Sequence, residues 1–261
     1  MVKYSHSKLS TFEQCKLKYK FRYIDKLKPE FEKTIEAHLG TCIHNSLEWL
    51  YKSVMKGKTQ SLDELILEYT KSWKKEYKEN FKIVKNNLKA EDYFSKGIKF
   101  LIDYYLENQP FNDGTIELEK RIEISIHPEH KHKIIGFIDR LSYNLEKNRY
   151  EVHDYKTASM LPTQEKIDND KQLAIYGFAI KKLFGEDKEV ALIWHYLDHN
   201  KKIISKRTNE QYEELIKKIV NLIEEIETTR EFPPNKSVLC GWCEFKNLCP
   251  AWNNTNLYKY I

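Results

Sequence analysis

The chain has 261 residues, of which 41% are hydrophobic and 32% charged, and these values predict one elaborated domain over residues 1–261 with a sizeable core. It contains no run of about 18 apolar residues, which argues against a membrane span, and its first residues lack an apolar signal core, so we expect a cytoplasmic protein. The net charge of +5 is compatible with a polyanionic partner without requiring one.

Two amphipathic helices are predicted at the start of the chain. The first covers residues 7–24, because a serine can cap it and apolar residues recur at helical spacing. It contains Cys15, which taken alone is a small, half-buried side chain. The second runs from about 35 to 55 and places His44 four residues after Gly40. Taken alone, this histidine is one that packs on a helix face.

A helical insertion is predicted at residues 57–110. Its central part, residues 61–108, is rich in Lys and Tyr, contains no proline and keeps helical spacing of its apolar residues, which indicates two or more helices. A basic, aromatic arm can bind single-stranded nucleic acid by base stacking and phosphate contacts. An ordinary helical layer with aromatic core residues explains the same pattern, so no residue here is assigned a role.

The first strong strand signal follows the insertion. Residues 115–126 alternate well enough for a strand that carries Glu119, with Glu117 and Glu123 close enough to leave the register open. The histidine-rich segment 127–133 is expected to be a solvated turn. Surface glutamates on a strand explain the three carboxylates equally well.

Two adjacent strands, each with charged residues that can take part in catalysis, are predicted at residues 136–156, GFIDRLSYNLEKNRYEVHDYK. Asp139 lies among apolar residues on the first strand, and Asp154 and Lys156 lie two apart on the second, where they share one face. Two carboxylates on neighbouring strands can hold a divalent cation and steady a water that attacks a phosphate. The lysine adds a compact positive charge near the developing negative charge.

The next segment predicts a helix, a hairpin and a second helix. The helix at about 168–184 places Gln172 and Tyr176 four residues apart on one face. An amphipathic helix with a polar spot explains this pair equally well. Residues 190–205 indicate a β-hairpin that completes the sheet, and residues 208–230 indicate a long amphipathic helix.

The end of the chain carries a metal-site motif. Cys240, Cys243 and Cys249 form C-x2-C-x5-C beside short loops that contain Trp. Three thiolates need a fourth ligand, and Cys15 is the natural candidate. Four sulfur ligands suit either zinc or an iron-sulfur cluster, and the spacing does not choose between them. The fifth cysteine, Cys42, is expected in the core.

Taken in chain order, these motifs resemble the PD-(D/E)XK nuclease superfamily. Asp139 followed by Asp154-Tyr155-Lys156 matches its D…(D/E)-x-K signature. The SKLSTFEQC helix, the G-x-x-x-H helix, the Q-x-x-x-Y helix and the cysteine-rich tail are similar to its RecB-type branch with a C-terminal iron-sulfur cluster. This branch includes CRISPR-associated adaptation exonucleases and the AddB-type nuclease domain. The resemblance covers residues 7–250.

The resemblance implies a fold, cofactors and site residues. The fold is α/β and restriction-endonuclease-like, with a central mixed sheet flanked by helices, a helical insertion, and a cluster that joins the tail, residues 232–261, to the first helix. The cofactors are Mg2+ or Mn2+ and a 4Fe-4S cluster, with zinc as the alternative in the cysteine site. The implied cluster ligands are Cys15, Cys240, Cys243 and Cys249. The implied catalytic residues are Asp139, Asp154, Lys156, Glu119, Gln172 and Tyr176. The implied metal ligands are His44, Asp139, Asp154 and the carbonyl of Tyr155.

The activity that the resemblance implies is that of a DNA exonuclease on single strands or ends, in repair, recombination or CRISPR adaptation. The partner would be a helicase, a repair protein or a CRISPR adaptation protein, since no helicase motif is present in the chain itself. Three alternatives stay open: an endonuclease with the same chemistry, a non-catalytic DNA-binding or scaffold subunit, and a zinc-stapled interaction module with a fortuitous D-x-K.

Overall fold

The computed structural model describes residues 2–126 and 132–253, with a six-stranded mixed sheet at the centre. The strands are β1 (Val2–Ser5), β2 (Thr115–Ser125), β3 (His132–Asn144), β4 (Arg149–Lys156), β5 (Glu189–Tyr196) and β6 (Lys201–Lys206). β3 pairs in parallel with β1 and antiparallel with β2 and β4, and β5 joins β4 in parallel and β6 antiparallel. The predicted α/β fold with a mixed sheet is confirmed. Most of the predicted histidine-rich turn, residues 127–131, lies outside the described residues.

Helices cover both faces of this sheet. They are α1 (His6–Gln14), α2 (Lys16–Tyr19), α3 (Ile35–Val54), α4 (Leu62–Glu76), α5 (Ala90–Asn108), α6 (Gln164–Asp168), α7 (Lys171–Phe184) and α8 (Asn209–Thr228). Within the described ranges, no helix is both long and apolar enough to cross a bilayer.

One face of the sheet packs against α1, α7 and α8. Leu173 and Ile180 of α7 and Ile219 of α8 are fully buried against Val152 and Leu192 of the central strands. These side chains recur at helical spacing on the helices, so one stripe of each helix enters the core. Burial of each such aliphatic side chain contributes about 1.5 to 3 kcal/mol.

The other face packs against α3, α4 and α5. Leu39 and Leu47 of α3, Tyr69 of α4 and Phe100 of α5 form a second core with Tyr155 of β4. A capping box between a serine and a glutamate begins α4. Two helices, α4 and α5, lie between residues 57 and 110, and their aromatic residues lie largely in the core.

The connection between β4 and β5 places the end of β4 beside the start of α7. β4 ends at Lys156, and α6 and α7 then lead to β5, which runs parallel to β4. The side chain of Asp170 caps α7 by accepting from the backbone N–H of Leu173 at 3.1 Å. The helix predicted at about 168–184 thus begins three residues later, at Lys171, and the short helix α6 precedes it.

The first predicted helix is interrupted at Cys15, so the expectation of one helix over 7–24 is wrong. Cys15 has an extended backbone with φ −162° and ψ 110°, and α2 begins only after it. A π-helical turn, Lys20–Ile24, then ends the segment and leaves Ile24 half exposed. The break follows from tertiary packing, because Leu17 and Phe21 are buried against Phe245 of the C-terminal tail.

Candidate active site

Two aspartates come together where the ladder between β3 and β4 ends. The ladder between these strands closes with the pair Arg140 and His153, and Asp139 and Asp154 are the next residues on their strands. The backbone N–H of Tyr155 donates to Oδ2 of Asp139 at 3.0 Å. This hydrogen bond holds the Asp139 carboxylate against the end of β4.

Glu119 joins this site from β2, on the other side of β3. The flanking ladder pairs leave Glu119 opposite Asp139. Its φ is 45°, in the left-handed region that residues other than glycine seldom occupy. Such strained positions persist where the surrounding structure enforces them and are common at functional sites.

Side chains on both β2 and β3 change faces at this pair. Leu118 packs against the core formed with α3–α5, whereas Lys120 lies over an aromatic ring of α7. Likewise, Ile138 belongs to the core of the α7 face, whereas Arg140 lies over a tyrosine ring of α3. In a regular strand, residues two apart share one face. Residues 119 and 139 therefore lie at a matched irregularity, which directs both carboxylates to the same place.

Helix α3 contributes His44 to the site. Its Nε2 donates to the carbonyl oxygen of Tyr155 at 2.9 Å, and its Nδ1 lies 3.4 Å from Oδ2 of Asp139. Both ring nitrogens therefore face oxygen atoms of the site, and the ring can bind a cation once one of them is deprotonated.

The residues at this site fit a divalent cation. His44, Glu119 and Asp139 each offer a ligand atom, and the three atoms lie within 4.8 Å of one another. Asp154 lies beside them, with its buried Oδ2 in an ion pair with Nζ of Lys156 at 2.7 Å. Carboxylate oxygens with one imidazole suit Mg2+ or Mn2+.

The pKa values reflect crowded carboxylates. Burial and the charge of Asp139 raise the pKa of Glu119 to about 7. Burial raises the pKa of Asp154 as well, although the charge of Lys156 opposes this. Burial disfavours the charged form of His44, but its hydrogen bond to Asp139 and the charges of both aspartates raise its pKa to about 9. A bound cation would relieve the same repulsion.

Lys156 links the aspartates to α7. Its Nζ donates to Oε1 of Gln172 at 2.9 Å and forms the ion pair with Asp154. Tyr176, one turn further along α7, packs its ring on the backbone of Gly136, where a Cβ atom would lie 2.6 Å from the ring. The structure therefore brings the six residues predicted as catalytic together around the point where the β3–β4 ladder ends.

Sequence reasoning missed Arg140, which is almost completely buried beneath this site. Its guanidinium donates to the Tyr155 hydroxyl at 2.9 Å and to Nδ1 of His153 at 2.9 Å, and it forms an ion pair with Asp113. A signal was present, because an arginine in the apolar run IIGFIDRL is unusual in a strand that is buried on both faces.

The four cysteines predicted to share a metal line one pocket. Cys15, from the break between α1 and α2, faces Cys240, Cys243 and Cys249 of the tail. Backbone N–H groups lie near two of the sulfurs: Asn235 N is 3.5 Å from Sγ of Cys15, and Ser237 N is 3.4 Å from Sγ of Cys240. Two positive side chains of the first segment pair with Glu244 of the tail and hold the two parts together.

Comparisons with known proteins agree with the geometry. The family model of the PD-(D/E)XK nuclease superfamily matches residues 3–250. A "Putative exonuclease" from Eubacterium rectale shares the fold, with a TM-score of 0.53 and 13% identity over 92% of this chain and 86% of that one. The structure of SSO0001 has a TM-score of 0.41 and 17% identity over 95% of this chain and 96% of that one. No curated protein matches the chain. Because the family match extends over nearly all of the sequence, the protein belongs to the PD-(D/E)XK nuclease superfamily, whose members are metal-dependent nucleases.

Proposed function

We propose that this protein is a Mg2+- or Mn2+-dependent deoxyribonuclease that acts as an exonuclease on single-stranded DNA or DNA ends. One observation carries the proposal. Asp139, Asp154 and Lys156 lie beside His44 and Glu119 where the β3–β4 ladder ends. The preference for ends rests on the resemblance of the motifs to RecB-type nucleases.

The metal would be held by Asp139, Asp154, the imidazole of His44 and the carbonyl of Tyr155, with Glu119 as a further carboxylate. When bound, a divalent cation supplies Lewis acidity at the phosphate and lowers the pKa of a water. Nε2 of His44 and the carbonyl oxygen of Tyr155 lie 2.9 Å apart, a separation that two ligands of one cation can have once Nε2 is deprotonated.

Lys156 would orient the attacking water and stabilise charge that develops on the phosphate. Its pKa stays raised despite burial, because Asp154 and Asp139 favour the ammonium form. The lysine therefore acts as a fixed positive charge at neutral pH, where the charge on the phosphate increases in the transition state. Its hydrogen bond to Gln172 keeps the ammonium directed at the site.

Gln172 and Tyr176 would place the DNA backbone. Both lie on the face of α7 that turns toward the end of β4, and Tyr176 is held in position by close packing on Gly136. An amide and a phenol can each donate to phosphate oxygens. Such contacts fix the register of a strand without reading its sequence.

Digestion of end-labelled DNA tests the proposal. Single-stranded and duplex DNA, labelled at the 5′ or the 3′ end, are incubated with Mg2+ or Mn2+ and either wild type or Lys156→Ala. We expect cleavage by the wild type, loss of at least about a hundredfold in Lys156→Ala, and a product ladder that begins at one labelled end. Lys171→Ala is a matched control, because Lys171 begins helix α7 close to the site but pairs with Glu13.

Other outcomes favour the rivals. Internal fragments without an end-dependent ladder would indicate an endonuclease with the same chemistry. Binding of DNA without cleavage by the wild type would favour a scaffold subunit. Cleavage by Lys156→Ala at the wild-type rate would contradict the catalytic assignment.

We propose further that the cysteine pocket holds a 4Fe-4S cluster rather than zinc. Its support is the gathering of four thiols around one pocket, the backbone N–H groups near two of them, which also tune iron-sulfur clusters, and the resemblance of the motifs to the RecB-type branch. Anaerobically purified protein should show visible absorbance and bound iron, both lost in Cys243→Ser and kept in Cys42→Ala, whose thiol is buried elsewhere. Stoichiometric zinc without iron would contradict the proposal.

The proposed setting is DNA repair, recombination or CRISPR adaptation, with any unwinding supplied by a helicase from another chain. Co-purification with DNA-processing partners, followed by digestion assays of the complex, tests this setting. A protein that digests DNA ends fully on its own, and equally well with or without partner extracts, would argue for an independent role.

A further inference from the structure

We propose that Arg140 and the hydroxyl of Tyr155 form a positioning pair. From the core between the sheet and α3–α5, this pair fixes the positions of the proposed metal ligands. The inference rests on the proposed function, because it concerns the cation at that site. It assigns no contact with DNA or with the reacting phosphate to either side chain.

The side chain of Arg140 is only 1% exposed, and each of its donor nitrogens has a partner within the protein. Its Nε donates to the Tyr155 hydroxyl at 2.9 Å, and its Nη1 donates to Oγ1 of Thr115 at 3.1 Å and pairs with Asp113. Its Nη2 donates to Nδ1 of His153 at 2.9 Å. A guanidinium with three separate sets of partners has one permitted position, because its donors form a rigid fork.

Tyr155 transmits this position to the metal site. Its ring lies in the core with α3–α5, where the hydroxyl contacts Arg140 and, at 3.3 Å, the hydroxyl of Tyr104. Its backbone N–H donates to Asp139, and its carbonyl accepts from His44. One residue therefore joins the buried network to two proposed metal ligands, while its chain neighbours are Asp154 and Lys156.

Arg140 also adjoins the irregularity that directs Asp139. Ile138 packs on the α7 face and Arg140 on the α3–α5 face, so the strand changes faces between them. A regular strand would place both on one face. The contacts of Arg140 hold the changed arrangement and thus keep the Asp139 carboxylate at the end of β4.

Energetics favour a positioning role over a purely stabilising one. Burial of an ion pair seldom adds net stability, because desolvation offsets the Coulomb attraction. An apolar side chain of similar volume would pack in the same core without that cost. The hydrogen bonds of the guanidinium instead specify one geometry for Tyr155, which is the kind of support that outer residues give to metal ligands.

The test compares Tyr155→Phe with Tyr51→Phe. Each substitution removes one buried hydroxyl and keeps the ring, but among the described residues the Tyr51 hydroxyl bonds to Tyr104 alone, at 2.8 Å. Affinity for Mn2+ alone is measured by calorimetry without DNA, and cleavage is measured as a function of Mn2+ concentration. We expect about a tenfold weaker Mn2+ affinity in Tyr155→Phe, a matching rise in the Mn2+ needed for half-maximal cleavage, and a change below about twofold in Tyr51→Phe.

A second variant guards against a folding defect. Arg140→Lys keeps the charge but cannot reproduce the fork of donors, so we expect it to weaken Mn2+ affinity at least as much as Tyr155→Phe. Thermal unfolding of all variants separates loss of stability from loss of metal affinity. If wild type binds Mn2+ and cleaves DNA while Tyr155→Phe and Arg140→Lys both match Tyr51→Phe, the positioning role is overturned and the proposed function stands. If wild type neither binds Mn2+ nor cleaves, both fail.

Discussion

Glu119 combines two features that disfavour it in a folded strand. Its backbone is left-handed, which costs about 1 to 3 kcal/mol outside glycine, and its carboxylate lies near Asp139, so burial and repulsion raise its pKa to about 7. Neither feature helps the fold. Both are explained if the carboxylate serves a cation that the neighbouring aspartate also binds.

Glu119→Gln should therefore damage metal use more than stability. An amide oxygen is a weaker ligand than a carboxylate, so we expect the Mn2+ concentration for half-maximal cleavage to rise about tenfold or more. The same variant should unfold at or above the wild-type temperature without metal, because one repelling charge is removed.

Glu117→Gln is the matched control on the same strand. Glu117 pairs with Lys120 at 2.6 Å and is about two-fifths exposed, so its loss should change the Mn2+ requirement by less than about twofold. A larger effect of Glu117→Gln than of Glu119→Gln would show that the carboxylate that serves the site has been misassigned.

At the scale of elements, local spacing predicted pairs within one strand or helix. Asp154 and Lys156 are two apart and meet at 2.7 Å, and Gln172 lies within reach of Lys156 at the start of α7. Glu119 was harder to predict, because three glutamates share β2 and the strand is irregular at the one that faces Asp139. A prediction from the sequence assumes that side chains alternate regularly along a strand, so it cannot locate a residue at which this alternation is interrupted.

The break at Cys15 was unpredictable for a related reason. Residues 7–24 have helical periodicity, and neither proline nor glycine marks an end. The interruption depends on packing of Leu17 and Phe21 against the tail, more than 200 residues later. Helix propensity is a weak preference that tertiary contacts override.

The paired histidines beneath the site give a prediction for acid stability. His153 accepts from Arg140 at Nδ1, and its Nε2 lies 2.9 Å from Ser142, while Nε2 of His195 lies 2.9 Å from the same Nδ1. Burial and the charge of Arg140 hold the pKa of both histidines well below the usual value, so both stay neutral when folded.

Stability should therefore fall as the pH falls below about 6.5. The unfolded chain takes up a proton on each histidine in that range and the folded chain does not, so each costs about 1.4 kcal/mol per pH unit. His195→Gln removes one such group, and we expect the slope of unfolding free energy between pH 6 and pH 5 to decrease by about that amount. Urea unfolding at each pH measures it. An unchanged slope would mean that His195 is protonated in the folded protein.

At the scale of the whole molecule, the cysteine pocket joins the two ends of the described chain. Cys15 and Cys240 are 225 residues apart, by subtraction of their numbers. Closing a loop of that length restricts the unfolded chain by an entropy term on the order of 5 kcal/mol. The proposed cluster would therefore stabilise the entire fold while lying outside the metal site.

Cys243→Ser should accordingly lower the stability of the protein more than its rate of DNA cleavage. We expect a large fall in melting temperature, because one ligand of the cluster is lost, with DNA cleavage kept at temperatures where the variant is folded. Calorimetric melting and cleavage at about 10 to 20 °C below the new midpoint measure both effects. Loss of cleavage in folded protein would instead give the tail a direct part in the reaction.

The global arrangement was predictable to the extent that motifs occur in the order of a known family. The mixed sheet, the helical insertion and the gathering of the cysteines around one pocket follow that resemblance. The buried network of Arg140 was not predictable, because its partners Asp113, Thr115 and His153 come from three separate segments. Only the folded structure shows that these polar groups satisfy one another.

The assignment of Asp139, Asp154 and His44 as metal ligands is tested most directly by locating Mn2+ with anomalous X-ray diffraction from crystals soaked in a manganese salt. We expect an anomalous peak in contact with the carboxylates of Asp139 and Asp154 and with the imidazole of His44. We also expect this peak to disappear in Asp139→Asn. An ordered Mn2+ that contacts neither aspartate, or an empty site at a concentration that supports DNA cleavage, would contradict the central claim.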